Sequence, residues 1–400
     1  MSKILILGGG FGGLKCAKIL SSRSSKKDEI ILIDKSNCHI YPPALYEVVV
    51  GELAPEHISF NFNDIIPKGV KFWQDEVIAL TPKNNTLTLS QRGLQTYDYL
   101  VLALGAETDF YKIPGVATFS KPLKNLSDAI KLKSHIYQEF IDCRNTLSPN
   151  NKMCKLRFII VGGGPTGVEL SGALASYANK LCKKFNISPK ELEIILLEAS
   201  SEILAGFSNE FKNRVKRRLK SLGVKIMTNS PVREEHIKEI IIAKDHMNLP
   251  SETIVWTAGI KATSVKDHSI FTTDSKGRII VNEFLLVPGF KNIFALGDIT
   301  SFIGNGGRPL PGLAQIAIDQ ANVVSYNINA SINSLHKKKY QPKKWGAIIP
   351  VGKYWAALVY GPFHFYGFIG WITRKFVDIR YLYSVLPFSK FLQNLFDYIF

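Results

Sequence analysis

One short unit, an apolar strand that runs into a glycine-rich loop and then a helix, occurs twice in this chain of 400 residues. The first copy opens with Ile4 to Leu7, an apolar run that reads as a buried parallel strand. Gly8-Gly9-Gly10-Phe11-Gly12-Gly13 follows, and then Leu14, Ala17 and Leu20 at helical spacing. Gly8, Gly10 and Gly13 satisfy GxGxxG, whose glycines permit a tight turn, close backbone approach to a pyrophosphate, and contact of helix with strand. The helix N-terminus then presents unpaired N–H groups to the phosphates. A second strand, Ile30 to Ile33, ends in Asp34, close to the usual ~20 residues past the loop at which a carboxylate accepts hydrogen bonds from a ribose.

The second copy runs from Phe158 to Val161, through Gly162-Gly163-Gly164-Pro165-Thr166-Gly167, into a helix carrying Val168, Leu170 and Leu174. Its acidic partner is Glu198, which closes the strand Glu193 to Leu197. The gap is longer here, and Lys183 to Lys190, with Pro189, reads as an added loop. Ala199, Ser200, Ser201 and Glu202 follow Glu198 and include no arginine for a 2′-phosphate, so NADH is expected over NADPH. One glycine loop can be a plain turn. Two in strand-loop-helix context predict an α/β fold with two Rossmann-like dinucleotide-binding domains; the alternative is two structural units that bind nothing. Later strands fit: Tyr99 to Leu104 ends in Gly105-Ala106, and Thr253 to Thr257 ends in Ala258-Gly259. Asn292 to Leu296 delivers Gly297-Asp298 at its C-terminal end, where open α/β sheets place ligands, so Asp298 is expected at the ribityl or phosphate side of a flavin.

A composition of 46% hydrophobic and 21% charged residues excludes disorder as the default and supports more than one packed domain. The balance of 50 Lys+Arg against 33 Asp+Glu, a formal charge of +17, favours anionic ligands or surfaces. Cys16, Cys38, Cys143, Cys154 and Cys182 form no CxxC or CxxxxC pair and no metal-ligand spacing with histidine; they read as reduced cytosolic thiols, and no metal is expected. Met1 leads directly into a strand, which argues against an export signal. No apolar run reaches the ~18 residues needed for a single spanning helix.

With these motifs on the page, the chain resembles the type II NADH:quinone oxidoreductases over essentially its whole length. The resemblance rests on both glycine loops, Tyr41-Pro42-Pro43-Ala44-Leu45-Tyr46-Glu47, Tyr97 to Gly105, Trp256-Thr257-Ala258-Gly259 and Phe294-Ala295-Leu296-Gly297-Asp298. More specific is Ala314-Gln315-Ile316-Ala317-Ile318-Asp319-Gln320, similar to a quinone-site motif AQxAxQ, with Asp319 where the second glutamine is expected and Gln320 one step later. The resemblance implies hydride transfer from NADH to FAD, then two-electron reduction of a membrane quinone without proton pumping. It implies FAD contacts at Gly8, Gly10, Phe11, Gly12, Gly13, Asp34, Lys35, Pro43, Val77, Ala103, Gly105, Asp298, Ala314 and Gln315. It implies NADH contacts at Gly162, Gly163, Gly164, Pro165, Thr166, Gly167, Glu198, Ala258 and Gly259. Catalytic roles fall to Glu169, Gln315, Asp319 and Gln320. Glu169 matches a proton-handling glutamate; its competing reading is an acid in the first helical turn, stabilised by the macrodipole.

Related chemistries are separated by cysteines and by the C-terminus. Disulfide reductases of this fold need two cysteines close in sequence, and sulfide:quinone oxidoreductases need cysteines in the C-terminal half, yet none follows Cys182. An NADH-dependent reductase of a soluble electron carrier, or an NADH-binding flavoprotein with a regulatory role, stays open. From Tyr366, apolar residues recur at Phe368, Ile369, Ile372, Phe376, Ile379 and Tyr383, with Arg374, Lys375, Asp378 and Arg380 between them. Pro387 breaks this helix, and Phe388, Phe391, Leu392, Leu395, Phe396 and Ile399 form a second set. Such helices suit a bilayer surface entered from one side, expected to be the cytoplasmic face, or a homodimer contact. Lys337-Lys338-Lys339 and Lys343-Lys344 would attract an anionic lipid surface, and Lys353, Arg374 and Lys375 are expected around the quinone headgroup. No docking element for nucleic acid is found. The expected division is an FAD-binding domain over 1–112 and 261–335, an inserted NADH-binding domain over 113–260, and a membrane-anchoring and quinone-site region over 336–400. Ile113-Pro114-Gly115 and Ala258-Gly259-Ile260 mark the crossings.

Overall fold

The structure is a computed structural model that describes residues 1–23, 25, 27–146, 148–263, 270–304 and 306–399, without the side chains of 245 and 396–399. The expected apolar positions Phe396 and Ile399 therefore lie outside the described side chains. The chain forms two compact units. One comprises Met1–Ile40, Ser59–Glu107 and Ile260–Lys344, the other Tyr41–Ile58, Thr108–Gly259 and Trp345–Phe400.

In the first unit a five-stranded parallel sheet has the spatial order Ile293–Ala295, Tyr99–Leu102, Lys3–Leu7, Glu29–Asp34, Val70–Gln74. Its central strands are buried on both faces, which is why they read as unbroken apolar runs. Helix Phe11–Arg23 returns from the first strand to the second, and helix Ala314–Ile332 packs along it. A three-stranded antiparallel sheet, Val77–Thr81, Thr86–Leu89 and Gly93–Thr96, precedes the strand Tyr99–Leu102.

The second unit repeats the plan: Lys121–Pro122, Thr253–Trp256, Arg157–Val161, Glu193–Leu197 and Val224–Met227 form the parallel sheet. Val232–His236, Glu239–Ile242 and Met247–Pro250 form its antiparallel sheet. Helix Pro165–Phe185 has 21 residues against 13 for its counterpart, so most of the extra sequence before Glu198 lengthens the helix. The loop expected over Lys183 to Lys190 shrinks to a left-handed cap at Asn186 and one helical turn at Pro189–Glu191.

Two segments join this unit from outside the expected 113–260. Helix Leu45–Val49 packs on helices Leu126–Arg144 and Pro165–Phe185, which draws Tyr41–Ile58 in. Trp345–Phe400 joins through the antiparallel sheet Ala347–Pro350, Ala356–Tyr360 and Phe363–Gly367. Gly172 is the reason this sheet can lie on helix Pro165–Phe185: a Cβ there would come within 2.7 Å of the Gly352 nitrogen. Ile113-Pro114-Gly115 is pinned inside the unit, because Glu235 donates its N–H to Pro114 O at 2.9 Å; the units change earlier, after Glu107.

Helix Phe368–Val385 follows, two residues later than the periodicity from Tyr366 suggests, because Phe363–Gly367 completes a strand. Helix Phe388–Ile399 closes the chain. No described helix is long and apolar enough to cross a membrane.

Candidate dinucleotide sites and a buried ionic cluster

Each glycine loop turns at a residue that only glycine adopts readily: φ is +101° at Gly8 and +109° at Gly162. Gly13 and Gly167 let their helices sit against the loop, since a Cβ would meet Gly8 O at 1.8 Å and Gly162 O at 2.0 Å. Gly10 and Gly164 have nothing within 4 Å of an added Cβ, so the space above the middle of each loop is open to a ligand. Neither helix has an acid in its first turn to oppose an anion.

The two acids do the same thing in both copies. Asp34 accepts from Gly9 N at 2.6 Å and from Ser36 N at 2.8 Å. Glu198 accepts from Gly163 N and Ser200 N, both at 2.7 Å. The longer gap to Glu198 therefore does not displace it: five residue pairs of parallel register align its strand with Arg157–Val161 as the Asp34 strand is aligned with Lys3–Leu7. Burial pushes the Asp34 carboxyl up, opposed by the Gly9 and Ser36 N–H groups and by Lys35. His39, 1% exposed, braces the first loop through Nδ1, 2.8 Å from Gly9 O.

The other expected positions lie on the same scaffold. Lys35 is exposed just after Asp34, and half-buried Val77 opens the antiparallel strand. Ala103 donates its N–H to Leu7 O at 2.8 Å and lies against Gly8, while Gly105 takes φ +72° two residues on. In the second unit Ala258 lies against Gly162 as Ala103 does against Gly8. Gly259 is covered by Tyr111, whose hydroxyl oxygen would be 2.2 Å from an added Cβ. Tyr111 was not legible as a site residue in the sequence. Its signal is structural: Tyr111 and Lys112 are consecutive non-glycine residues at φ +51° and +56°, and the Tyr111 phenol is raised by burial, then by Asp109 and by Glu198 of the second loop. Pro165 and Thr166 are exposed at the start of their helix.

Asp298 sits half-buried in the turn Gly297–Ile299, beside a cleft also lined by Lys261, Lys276, Arg278, Pro311 and Gln320. Gln320 is 1% exposed, and its Oε1 accepts from Gly297 N at 2.7 Å, so this side chain fixes the turn that carries Asp298. Asp319, 7% exposed, pairs with Lys343 at 3.2 Å. Both side chains are thus engaged within the fold. Ala314 and Gln315 are half-buried in the first turn of their helix.

Glu169 is the fifth residue of helix Pro165–Phe185, past the first turn, which removes the macrodipole reading. It is half-buried, and desolvation pushes its carboxyl up to about 8, opposed by Arg374 and reinforced by Glu47 and Asp378. These groups form one cluster in the second unit. Lys375 Nζ lies 2.9 Å from Glu47 Oε2, and Tyr46 donates to Glu47 Oε1 at 2.9 Å. Arg374 Nε lies 3.0 Å from Asp378 Oδ2, its Nη2 donates to Pro43 O at 3.0 Å, and Tyr41 donates to Asp378 Oδ1 at 2.5 Å. Pro43, expected at the flavin, here accepts a hydrogen bond in this cluster.

The cluster takes up the inner face of helix Phe368–Val385 and leaves the apolar stripe outward, the side on which a bilayer or a second copy was expected. Its buried stripe is Gly370, Arg374, Asp378, Leu382 and Val385. Phe368, Ile369, Ile372, Phe376 and Tyr383 point outward, between 48% and 67% exposed. All five cysteines are free, and burial pushes the Cys16 thiol up to about 12.

Comparison with known proteins agrees with this construction. A type II NADH:quinone oxidoreductase of Staphylococcus saprophyticus is 27% identical over 398 residues, covering 97% of this chain and 98% of that protein. NDH2 from Plasmodium falciparum, solved in complex with NADH, superposes with a TM-score of 0.89 at 20% identity, covering 100% of this chain and 97% of that one. The sulfide:quinone oxidoreductase of Aquifex aeolicus superposes at 0.80 and 18% identity, covering 96% and 91%. A family model for the pyridine nucleotide-disulphide oxidoreductases matches residues 2–321, and the chain belongs to that family.

Proposed function

We propose that this chain is a type II NADH:quinone oxidoreductase that uses FAD and NADH and works from one side of a membrane. The observation that carries the reading is the pair of glycine loops, each clasped by its own carboxylate and each open above its middle glycine. Relatives of that name cover nearly the whole chain. FAD held at the first loop would supply the two-electron relay between NADH and the quinone.

The chain's own residues hold, orient and supply protons. Gly8 to Gly13 with Asp34 hold the FAD diphosphate and ribose, while Lys35, Pro43, Val77, Ala103, Gly105, Asp298, Ala314 and Gln315 serve the rest of that cofactor. Gly162 to Gly167, Glu198, Ala258 and Gly259 hold NADH, and the absence of a basic residue at Ala199 to Glu202 favours it over NADPH. Glu169 keeps a proton at its carboxyl near neutral pH, ready for a reduced quinone. Gln315 contacts the quinone, whereas Gln320 and Asp319 act as positioning residues through Gly297 and Lys343. The FAD-binding domain comprises most of the first unit. The NADH-binding domain and the membrane-anchoring region belong to the second.

Membrane contact is supported by helix Phe368–Val385, which buries ionic groups and exposes aromatic ones, the arrangement expected of a helix lying in an apolar interface. The cytoplasmic face is proposed because the cysteines read as reduced. Anaerobic stopped-flow absorbance of the yellow protein tests the function. Bleaching by NADH much faster than by NADPH, followed by rapid recovery with a short-chain quinone, is the expected outcome. Bleaching without quinone recovery overturns it in favour of a soluble-carrier reductase or a regulatory flavoprotein.

A further inference from the structure

Between Asp109 and Gly115 the chain makes a turn that its sequence does not favour. Tyr111 and Lys112 take φ +51° and +56°, and Ile113 donates its N–H to Phe110 O at 3.0 Å, the arrangement of a type I′ turn. Glycine, asparagine and aspartate ordinarily fill those two central positions, because a Cβ crowds the backbone there. The turn is pinned from both sides. Asp109 donates its N–H to Gly259 O at 3.0 Å, its carbonyl accepts from Trp256 Nε1 at 2.8 Å, and its Oδ1 accepts from Tyr111 N at 2.8 Å. Phe110 and Ile113 pack against the core of Val116, Ile240 and Trp256, while Tyr111 and Lys112 stay exposed. Backbone strain that the surroundings enforce in this way points to a position kept for function.

Tyr111 is 47% exposed, so folding gains little from its ring, which lies across the main chain of Ala258 and Gly259. A Cβ added at Gly259 would come within 2.7 Å of three phenol atoms, and the Tyr111 hydroxyl donates to Ala258 O at 3.3 Å. This is the C-terminal end of strand Thr253–Trp256, the side on which open α/β sheets hold ligands. Ala258 in turn lies against Gly162, so the ring borders the second glycine loop. It is also close enough to Glu198 for that carboxylate to raise the phenol, after burial and Asp109. With its proton on Ala258 O, the Tyr111 oxygen has only lone pairs left to offer. The same holds for Glu198, which already accepts from Gly163 N and Ser200 N.

We infer that Tyr111 is a positioning and specificity residue of the NADH site, its ring walling the cleft at the strand exit and its hydroxyl oxygen joining Glu198 in accepting from the adenosine ribose. Two neighbouring acceptors suit a ribose 2′-hydroxyl, which donates, and oppose a 2′-phosphate, which is charged and has no donor to give. The inference rests on the assignment of NADH to the second loop. It adds an active ground for preferring NADH where Ala199 to Glu202 only lack a cation.

The test is anaerobic stopped-flow bleaching of the FAD-loaded protein over a series of NADH and NADPH concentrations, giving a Kd and a limiting rate for each. Wild type, Tyr111→Phe, Tyr111→Ala, Lys112→Ala and Gly164→Val are compared, with FAD content and melting temperature as controls on folding. Loss of one hydrogen bond predicts that Tyr111→Phe raises the Kd for NADH roughly fivefold, leaves that for NADPH unchanged and keeps the limiting rate within about twofold. Tyr111→Ala, which also loses the wall, should raise the Kd for NADH by roughly tenfold or more. Because Tyr111→Phe keeps the ring, it tests the hydroxyl even if the alanine variant fails to fold. A wild-type Kd for NADH in both Tyr111 variants, with Gly164→Val weakened, overturns the inference alone and leaves Tyr111 a packing residue. Weaker NADPH binding with unchanged NADH binding in Lys112→Ala also overturns it, since the turn would then read a phosphate. Wild-type NADH binding by Gly164→Val removes the second-loop assignment and the inference with it.

Discussion

Glu169 is held protonated by its surroundings: it loses solvent on burial and faces Glu47 and Asp378, and Arg374 alone opposes them. A carboxyl raised from 4.5 to about 8 binds more protons in the native state than in the unfolded one. Its contribution to stability is therefore full below the unfolded value and lost as pH rises from about 4.5 through about 8. Glu169→Gln, permanently neutral, should flatten the stability profile over that window, read by thermal melts at several pH values. If the carboxyl delivers protons, the same variant should lower quinone turnover roughly 100-fold at neutral pH and remove the alkaline limb of the rate profile. An unchanged pH–rate profile would leave Glu169 with a packing role only. Gln320 makes the opposite case: its identity in a motif suggests chemistry, but its amide is committed to Gly297 N.

Among the elements, helix Phe368–Val385 departs furthest from the usual rule. A surface helix normally buries its apolar stripe, and this one buries an Arg374–Asp378 pair with Asp378 at 0% exposure. Helical spacing identifies the two stripes in the sequence; it does not say what the charged stripe packs against, because its partners Tyr41, Pro43 and Glu47 lie far away along the chain. Removing one member of a buried pair strands the other. Asp378→Ala should cost about 3–5 kcal/mol, measured by denaturant titration of the holoprotein, and should exceed the cost of Phe376→Ala on the exposed stripe. Equal costs would mean that the pair is not what seats the helix.

For the whole molecule, the repetition of one plan makes the two nucleotide sites separable. An added Cβ at Gly10 or Gly164 meets no protein atom within 4 Å, so valine at either should leave the fold intact and fill space reserved for a ligand. Gly10→Val should purify colourless, with FAD content near zero. Gly164→Val should stay yellow yet bleach with NADH only at concentrations at least 100-fold higher. A colourless Gly164→Val would contradict the assignment of the second loop to NADH. Much of this plan was legible directly. The strand runs, the glycine loops, Asp34, Glu198 and the Gly297-Asp298 turn are short-range features whose geometry follows from backbone sterics and strand burial within a few residues. The tertiary structure alone decided the rest: Tyr111 covering Gly259, Gln320 and Asp319 engaged by Gly297 and Lys343, and the Arg374–Asp378 pair seated against Tyr41 and Pro43. Each of those outcomes depends on desolvation and pairing with groups that only folding brings within a few ångströms, and no local pattern encodes which pairing prevails.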